Sequence, residues 1–359
     1  SEGFYTDENV ALGFRRLSII GLEDGMQPIY NEDKSLVLLF NGEIYNYKEL
    51  KEDLIAKGHS FYTHSDSEVL IHLYEEEGEE MLPKLRGMFS FTIYSKDEGS
   101  LFIARDYFGI KPLYYGTFGE SFIFGSEIKS FLDYPEFKKE LNLDALESYL
   151  SFQYSSLQET FFKNIFKLTP GHYLKYKDGA IQIARYFTAT FEEDKESSLD
   201  EIVDDIEEVF KDSVKAHKIS DVEVGSFLSS GIDSSYAASV FQGDKTFTVG
   251  FAYDKYNEIE YARELSKIIG IKNESKVISD EEYWGSLGEV QYHMDEPLAD
   301  PSAVALYFVS QVASKQVKVV LSGEGADELF GGYTIYKEPI SLAIYSRLPL
   351  KFRECVGNL

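Results

Sequence analysis

Runs of aromatic and β-branched residues punctuate the first half of the chain: Leu36-Val37-Leu38-Leu39-Phe40, Phe89-Ser90-Phe91-Thr92-Ile93-Tyr94, Leu101-Phe102-Ile103-Ala104, Leu113-Tyr114-Tyr115 and Phe122-Ile123-Phe124. Such residues suit pleated, half-buried surfaces, so each run predicts a short strand. Around Tyr47 to Lys57 and Ser67 to Glu77 the apolar spacing becomes helical. Residues 1 to about 187 therefore read as a mixed α+β structure.

The polar stretch Glu192-Glu193-Asp194-Lys195-Glu196-Ser197-Ser198 has the composition of a linker. It divides the chain into domains at 1–190 and 191–359. Beyond it Leu199, Ile202, Val203, Ile206, Val209, Phe210 and Val214 recur at three- and four-residue steps, which predicts an amphipathic helix with Ser198 as its N-cap. Strand and helix then alternate: strand Val222 to Leu228, helix from about Ser234, strand Thr246 to Phe251, helix Glu258 to Ile269 ended by Gly270, helix Ala303 to Ser314, strand Val317 to Leu321. Alternation of this kind predicts a parallel sheet with ligands at the carboxyl ends of its strands.

With 62 acidic and 35 basic side chains in 359 residues, the chain carries a formal net charge of −27. That field disfavours nucleic acid and anionic membranes as partners, so any phosphate must be held locally by backbone amides or a cation. The single cysteine, Cys355, excludes an internal disulfide framework and fits a reducing cytoplasm. No apolar run reaches the ~18 residues of a membrane span. The six histidines, His59, His64, His72, His172, His217 and His293, show no metal-ligand spacing, and no rival chemistry is expected of them.

At the exit of the Val222 to Leu228 strand stands Ser229-Ser230-Gly231-Ile232-Asp233-Ser234, followed by a helical pattern. Small residues and hydroxyls at a helix N-terminus make a phosphate cradle. By itself the segment reads equally well as a serine-rich turn capped by Asp233. The strand Val317 to Leu321 ends in a second glycine-rich exit, Ser322-Gly323-Glu324-Gly325-Ala326-Asp327-Glu328. Carboxylates repel polyphosphate unless Mg²⁺ stands between, and Glu324 and Asp327, three apart, would share a face of a helical turn. In this order the two motifs resemble the glutamine-dependent asparagine synthetase family, with its Ser-Gly-Gly-x-Asp-Ser pyrophosphatase loop and Ser-Gly-Glu-Gly-Ser/Ala-Asp-Glu partner. The segment Asp295-Glu296-Pro297-Leu298-Ala299-Asp300-Pro301-Ser302 is similar to a third segment of that family. The resemblance implies ATP as substrate, held by Leu228, Ser229, Ser230, Gly231, Asp233, Ser234, Val249, Ser322 and Gly323. It further implies Mg²⁺ on Asp233 and Asp327, and Glu324 as the catalytic group that supports formation of an aspartyl-adenylate. Ser230 departs from the family's glycine, and its side chain either crowds pyrophosphate or adds a donor.

In the amino-terminal half Arg16-Leu17-Ser18-Ile19-Ile20, Asn41-Gly42-Glu43-Ile44-Tyr45-Asn46 and Ser65-Asp66-Ser67-Glu68 resemble, in order, the glutamine-site segments of class II amidotransferase domains. Arginine can clamp an α-carboxylate, aspartate can hold an α-ammonium, and Asn41 with the Gly42 N–H can form an oxyanion hole. Arg86 to Phe91, Ala104 to Tyr115 and Phe124 to Glu127 extend the likeness over nearly the whole half. The implied glutamine-binding set is Arg16, Leu17, Ser18, Ile19, Ile20, Asn41, Gly42, Glu43 and Asp66.

The implied fold is an α+β N-terminal-nucleophile-type glutaminase domain followed by an α/β parallel-sheet ATP-pyrophosphatase domain of the adenine nucleotide α-hydrolase-like kind. The implied activity is cytoplasmic synthesis of asparagine from aspartate, ATP and glutamine-derived ammonia; a homodimer is compatible with it. An amidotransferase or cyclase acting on another carboxylate is the alternative enzyme, and a catalytically silent binding module the alternative from another class. The family's nucleophile is an amino-terminal cysteine, whereas this chain opens Ser1-Glu2-Gly3 and Cys355 matches no motif. The expectation is a fragment or processed form, incomplete at both ends, that hydrolyses no glutamine as written.

Overall fold

The computed structural model describes residues 1–253, 257–337, 343–350 and 352–353. Its first half is built on a six-stranded antiparallel sheet. The strands, in spatial order, are β11 (Ala180–Arg185), β10 (His172–Lys177), β6 (Ser100–Arg105), β5 (Gly87–Ser95), β4 (Leu36–Ile44) and β3 (Ile29–Tyr30). Along β4, Leu36, Leu38 and Phe40 join a core with Leu54 of helix α1 (Tyr47–Lys57) and Val69, Leu70 and Leu73 of α2 (Glu68–Glu77). The alternate residues Val37 and Leu39 enter a second core with Leu113 and Tyr115. The continuous apolar run is thus explained by burial on both faces of the sheet.

The second core is closed by the hairpin β1 (Glu2–Thr6) and β2 (Ala11–Arg15), which supplies Leu12, and by a three-stranded sheet of β8 (Ser121–Gly125), β7 (Tyr114–Phe118) and β9 (Phe166–Lys167). Helix α3 (Leu143–Phe152), capped by the Asn142 side chain, stands between β8 and β9 in the chain. Residues 188–198 carry no strand or helix and are exposed.

The second half opens with α4 (Leu199–His217), whose Ser198 and Glu201 form a reciprocal capping box. Its expected apolar face is only partly covered, for Val203 and Val209 are exposed while Val214 is buried. A four-stranded parallel sheet follows in the order β14 (Lys272–Ile278), β13 (Lys245–Phe251), β12 (Val224–Phe227), β15 (Val319–Leu321). Helices α5 (Ile232–Phe241) and α6 (Ile259–Ile269) cover one set of core residues, Leu228 with Ala238 and Ala262. Helices α7 (Asp280–Met294) and α8 (Ser302–Ala313) pack Val290, Val304 and Phe308 against Ile278. The expected succession of a mixed α+β half and a parallel α/β half is therefore present.

This order places the functional loops. The chain runs outward from β12 through β13 to β14 and then returns to the other side of β12 as β15. The point where the winding reverses opens a crevice at the carboxyl ends of those two strands.

Contacts among the described residues join the halves, with Arg86 donating to Asp212 at 2.5 Å and two further patches. Ahead of β12, Asp221 accepts the Gly21 N–H at 2.8 Å and donates its own N–H to the Ile19 carbonyl at 3.0 Å. At the second patch, Asp295 accepts the Ile128 N–H at 2.7 Å, and Glu296 accepts the Phe161 N–H at 3.1 Å.

Candidate functional site

Two constellations emerge, one in each half. In the first, a cavity of about 220 Å³ is lined by Arg16, Leu17, Ile19, Ile20, Asn41, Gly42, Glu43 and Asp66, with Lys111 and Ser65 beside them. All but Ser18 of the residues expected at a glutamine site from sequence line it, and Ser18 accepts from the Arg16 guanidinium at 3.0 Å.

Register places Asn41, Gly42 and Glu43 opposite Ser90, Phe89 and Met88 at the end of β4. A Cβ on Gly42 would stand 2.1 Å from the Met88 carbonyl oxygen, so only glycine lets the strands approach here. Asp66, almost fully buried, accepts the Ile44 N–H at 2.9 Å. Burial nevertheless pushes its carboxyl up to about 6, with the Ile44 N–H and Ser65 pulling the other way. Glu43 is pushed up to about 7, first by burial and then by the charge on Asp66. Its Oε1 is buried with no hydrogen-bond partner. Two crowded carboxylates, one with an unpartnered oxygen and Lys111 beside it, leave acceptor capacity in this cavity for a cationic donor.

Arg16 does not present a free fork. Its Nη1 donates to Ser18 Oγ and to the Gly21 carbonyl, both at 3.0 Å, and Nη2 donates to the Ile20 carbonyl. In this conformation it braces the 18–21 turn, and a bidentate clamp on a carboxylate requires those contacts to be exchanged.

The second constellation occupies the crevice between β12 and β15. Gly231 caps α5, and the Ser229 hydroxyl accepts the Gly231 N–H at 3.1 Å while lying 2.8 Å from Ser234 Oγ. The two strand exits touch, for a Cβ on Gly323 would stand 2.8 Å from the Ser234 nitrogen and 3.0 Å from Asp233 Cβ. Glycine at 323 is what lets the second motif close onto the first. Ser230 donates its N–H and its hydroxyl to the two oxygens of Glu258, at 3.2 and 3.0 Å. The hydroxyl thus acts as an added donor facing an anion. Glu258 itself was not singled out by the sequence, because it precedes an ordinary amphipathic helix.

Asp327 lies in the first turn of α9 (Ala326–Phe330), but Glu324 precedes that helix and Gly325, with φ at +91°, separates them. The expectation that Glu324 and Asp327 share a helical face is corrected: a left-handed residue between them turns the backbone before the helix begins. Asp233 and Asp327 offer hard carboxylate oxygens, and among the described residues they close no cluster with a third acidic or histidine ligand. Such oxygens are of the kind Mg²⁺ takes, one or two carboxylates with water and phosphate oxygens completing its shell.

Leu228 and Val249 are core residues. Leu228 is buried with Ala238 and Ala262, and Val249 packs against Phe247 and Phe308 clusters on β13. Asp295 and Glu296 stand away from the nucleotide loops, pointing into the first half, where Lys129 and Lys167 meet them at 2.8 Å each. A second cavity of about 220 Å³, between α7 and α8, is lined by Tyr283, Val290, Met294 and Pro301 and touches neither loop. Cys355 lies outside the described residues. No helix among the described residues is long and apolar enough to cross a membrane.

Comparison with known proteins bears on both constellations. A glutamine amidotransferase domain family matches residues 1–187, and the asparagine synthase family matches residues 205–354. The chain is 48 % identical to asparagine synthetase (glutamine-hydrolyzing) 1 of Bacillus subtilis (strain 168), across 97 % of this chain and 56 % of that protein. It is 40 % identical to a putative asparagine synthetase (glutamine-hydrolyzing) of Mycobacterium tuberculosis (strain ATCC 25618 / H37Rv), across 98 % and 56 %. Against the putative asparagine synthetase (glutamine-hydrolyzing) 2 of Methanocaldococcus jannaschii it is 32 % identical across 99 % of this chain and 72 % of that one. The chain spans a little over half the length of the first two relatives.

Proposed function

The chain belongs to the glutamine-hydrolysing asparagine synthetase family, and from that premise we propose that the protein carrying it makes asparagine from aspartate, ATP and ammonia drawn from glutamine. The observation that carries the nucleotide half of this reading is the contact of Gly323 with Asp233 and Ser234, at the reversal point of the parallel sheet. It brings an anion-binding helix terminus and a carboxylate-bearing loop to one crevice.

In this reading the α5 terminus and the hydroxyls of Ser229, Ser230 and Ser234 hold the phosphates of ATP. An aspartate side-chain carboxylate oxygen attacks the α-phosphorus, the bond between the α-phosphorus and the bridging oxygen to the β-phosphorus breaks, and pyrophosphate leaves with that oxygen. Ammonia then attacks the acyl carbon of the aspartyl-adenylate, losing a proton as the acyl–oxygen bond breaks, and AMP departs. Glu324, on the exposed turn after β15, is the carboxylate nearest in sequence to the Ser322-Gly323 contact and is assigned to support that first step. Mg²⁺ bound by Asp233 and Asp327 would neutralise charge on the phosphates. Leu228 and Val249 act behind the nucleotide by shaping the sheet.

In the other half, Asp66 and Glu43 receive the α-ammonium of glutamine, Arg16 its α-carboxylate, and Asn41 with the Gly42 N–H the developing oxyanion. Ser18, Leu17, Ile19 and Ile20 form the wall on which Arg16 turns. The test is the nucleotide product: with aspartate and ammonia the protein should release AMP and pyrophosphate in equal amounts, and ADP with phosphate would overturn the reading.

A further inference from the structure

We propose that the amino-terminal half carries a structural divalent-metal site, best fitted to Zn²⁺, formed by Glu32, His59, His72 and Glu75, far apart in sequence and outside the glutamine cavity. Glu32 follows β3, His59 follows α1, and His72 and Glu75 stand one turn apart on α2. Their ligand atoms all lie within 4.8 Å of one another. Linear spacing among the histidines carries no signal for this group, because its members meet through tertiary folding.

The separations are near those of a tetrahedral shell. Nδ1 of His59 lies 3.3 Å from Glu32 Oε1 and 3.8 Å from Glu75 Oε2, and Nδ1 of His72 lies 3.4 Å from Glu32 Oε2 and 3.0 Å from Glu75 Oε2. Four ligands on bonds of about 2.0–2.1 Å at tetrahedral angles are separated by about 3.3 Å. Two imidazoles and two carboxylates suit Zn²⁺ among biological divalent ions.

The surrounding groups fix those atoms. Nε2 of His59 lies 3.2 Å from Glu76 Oε1, and the nearest carboxylate to Nε2 of His72, which is otherwise unpartnered and buried, is Glu68 at 3.6 Å. The Glu76 carboxylate behind His59 is within hydrogen-bond reach of Nε2, the arrangement that turns Nδ1 toward a metal, whereas His72 Nε2 makes no such bond. The ligand carboxylates are also held: Glu32 Oε1, the oxygen that faces His59, accepts the Ser60 N–H at 2.9 Å, and Glu75 Oε1 accepts from Asn31 at 2.8 Å. Both Nδ1 atoms face carboxylate oxygens in a region where the His72 side chain is 1 % exposed. One divalent ion bound there would take the two nitrogens and the two carboxylates as ligands and tie α2 to the β3 turn and to the loop after α1.

The experiment takes the 359-residue chain bearing Cys355→Ser, strips it with chelator, dialyses it against Zn²⁺ or Co²⁺, and measures retained metal by mass spectrometry. The expected result is one Zn²⁺ per chain, the intense visible bands of tetrahedral Co²⁺, and a melting temperature raised by the metal. His59→Ala, at a partly exposed position, should weaken Zn²⁺ binding at least tenfold, and Glu32→Gln, on the more exposed side, repeats the test if that variant misfolds. Less than half an equivalent in the folded parent, weak octahedral Co²⁺ bands, or equal retention by folded variants would overturn the proposal. Nitrogen chemical shifts showing both imidazoles doubly protonated in the presence of excess Zn²⁺ would do so as well.

Discussion

Lys129 Nζ stands 2.8 Å from Asp295 Oδ1, an ion pair between the two halves whose side chains are 14 % and 8 % exposed. Asp295 also accepts the Ile128 N–H, so one carboxylate terminates α7 and anchors it to the turn after β8. The Asp295 contact raises the ammonium of Lys129 above its ordinary range against the opposing effect of burial. Removing Asp295 takes away the nearer of two carboxylates at Lys129, leaving Glu127 at 3.4 Å, and frees the Ile128 N–H.

Asp295→Ala combined with Glu296→Ala should therefore loosen the junction. Limited proteolysis is expected to cut first in the exposed segment 188–198. The two pieces of the parent should stay associated on gel filtration, and those of the double variant should separate. A first cut inside residues 36–128 would contradict the domain division.

The glutamine cavity predicts a pH dependence. In the folded chain Asp66 titrates at about 6 against an ordinary 3.8, and Glu43 at about 7 against 4.5. Between roughly pH 4 and 7 the folded state binds more protons than the unfolded state, so these two groups lower stability as pH rises. Asp66→Asn removes one of them and the repulsion it exerts on Glu43. Its melting temperature, relative to the parent, should rise between pH 5 and 7.5. Glutamine binding by the parent, measured by calorimetry, should strengthen over the same window as the carboxylates ionise to meet the α-ammonium, and the Asn variant should keep only the part of that slope that Glu43 supplies.

Glu258 occupies donors that the proposed reaction needs. Its carboxylate accepts both the N–H and the hydroxyl of Ser230, so it competes with phosphate oxygens for them. Glu258→Gln removes the like charge and should lower the KM for ATP several-fold. Ser230→Gly should have a smaller effect, because the backbone donor remains. An unchanged KM in Glu258→Gln would exclude the competition.

Much of this architecture is written in the chain because the deciding elements are buried on two sides. The run Leu36 to Phe40 announces β4 through unbroken apolarity, and Ser198 with Glu201 announces the start of α4 through its cap. What stays hidden has physical reasons. Strand β14 reads Lys-Asn-Glu-Ser-Lys-Val-Ile because it is a sheet edge, and its polar face carries no alternation. Helix α7 buries little more than Ser286 and Val290, so no apolar stripe marks it. Arg16, Asn41 and Asp66 are recognisable from motifs, yet their meeting in one cavity depends on long-range contacts such as that of Asp66 with the Ile44 N–H at the end of β4. Glu258 reaches Ser230 across 28 residues, and Glu32 reaches His72 across 40. No local pattern encodes such contacts.

The central claim is that one chain holds two separable sites, one for glutamine and one for the activated carboxylate. It is tested most directly by measuring asparagine formation by the protein carrying this chain, with glutamine and then with ammonium as nitrogen source, in Asp66→Ala and Glu324→Ala. Asp66→Ala should lose at least a hundredfold of the glutamine-supported rate and keep the ammonium-supported rate, since Asp66 lies in the cavity of the first half. Glu324→Ala should lose both, because adenylate formation precedes the arrival of nitrogen. Equal loss of both rates in Asp66→Ala, or survival of either rate in Glu324→Ala, would contradict the account.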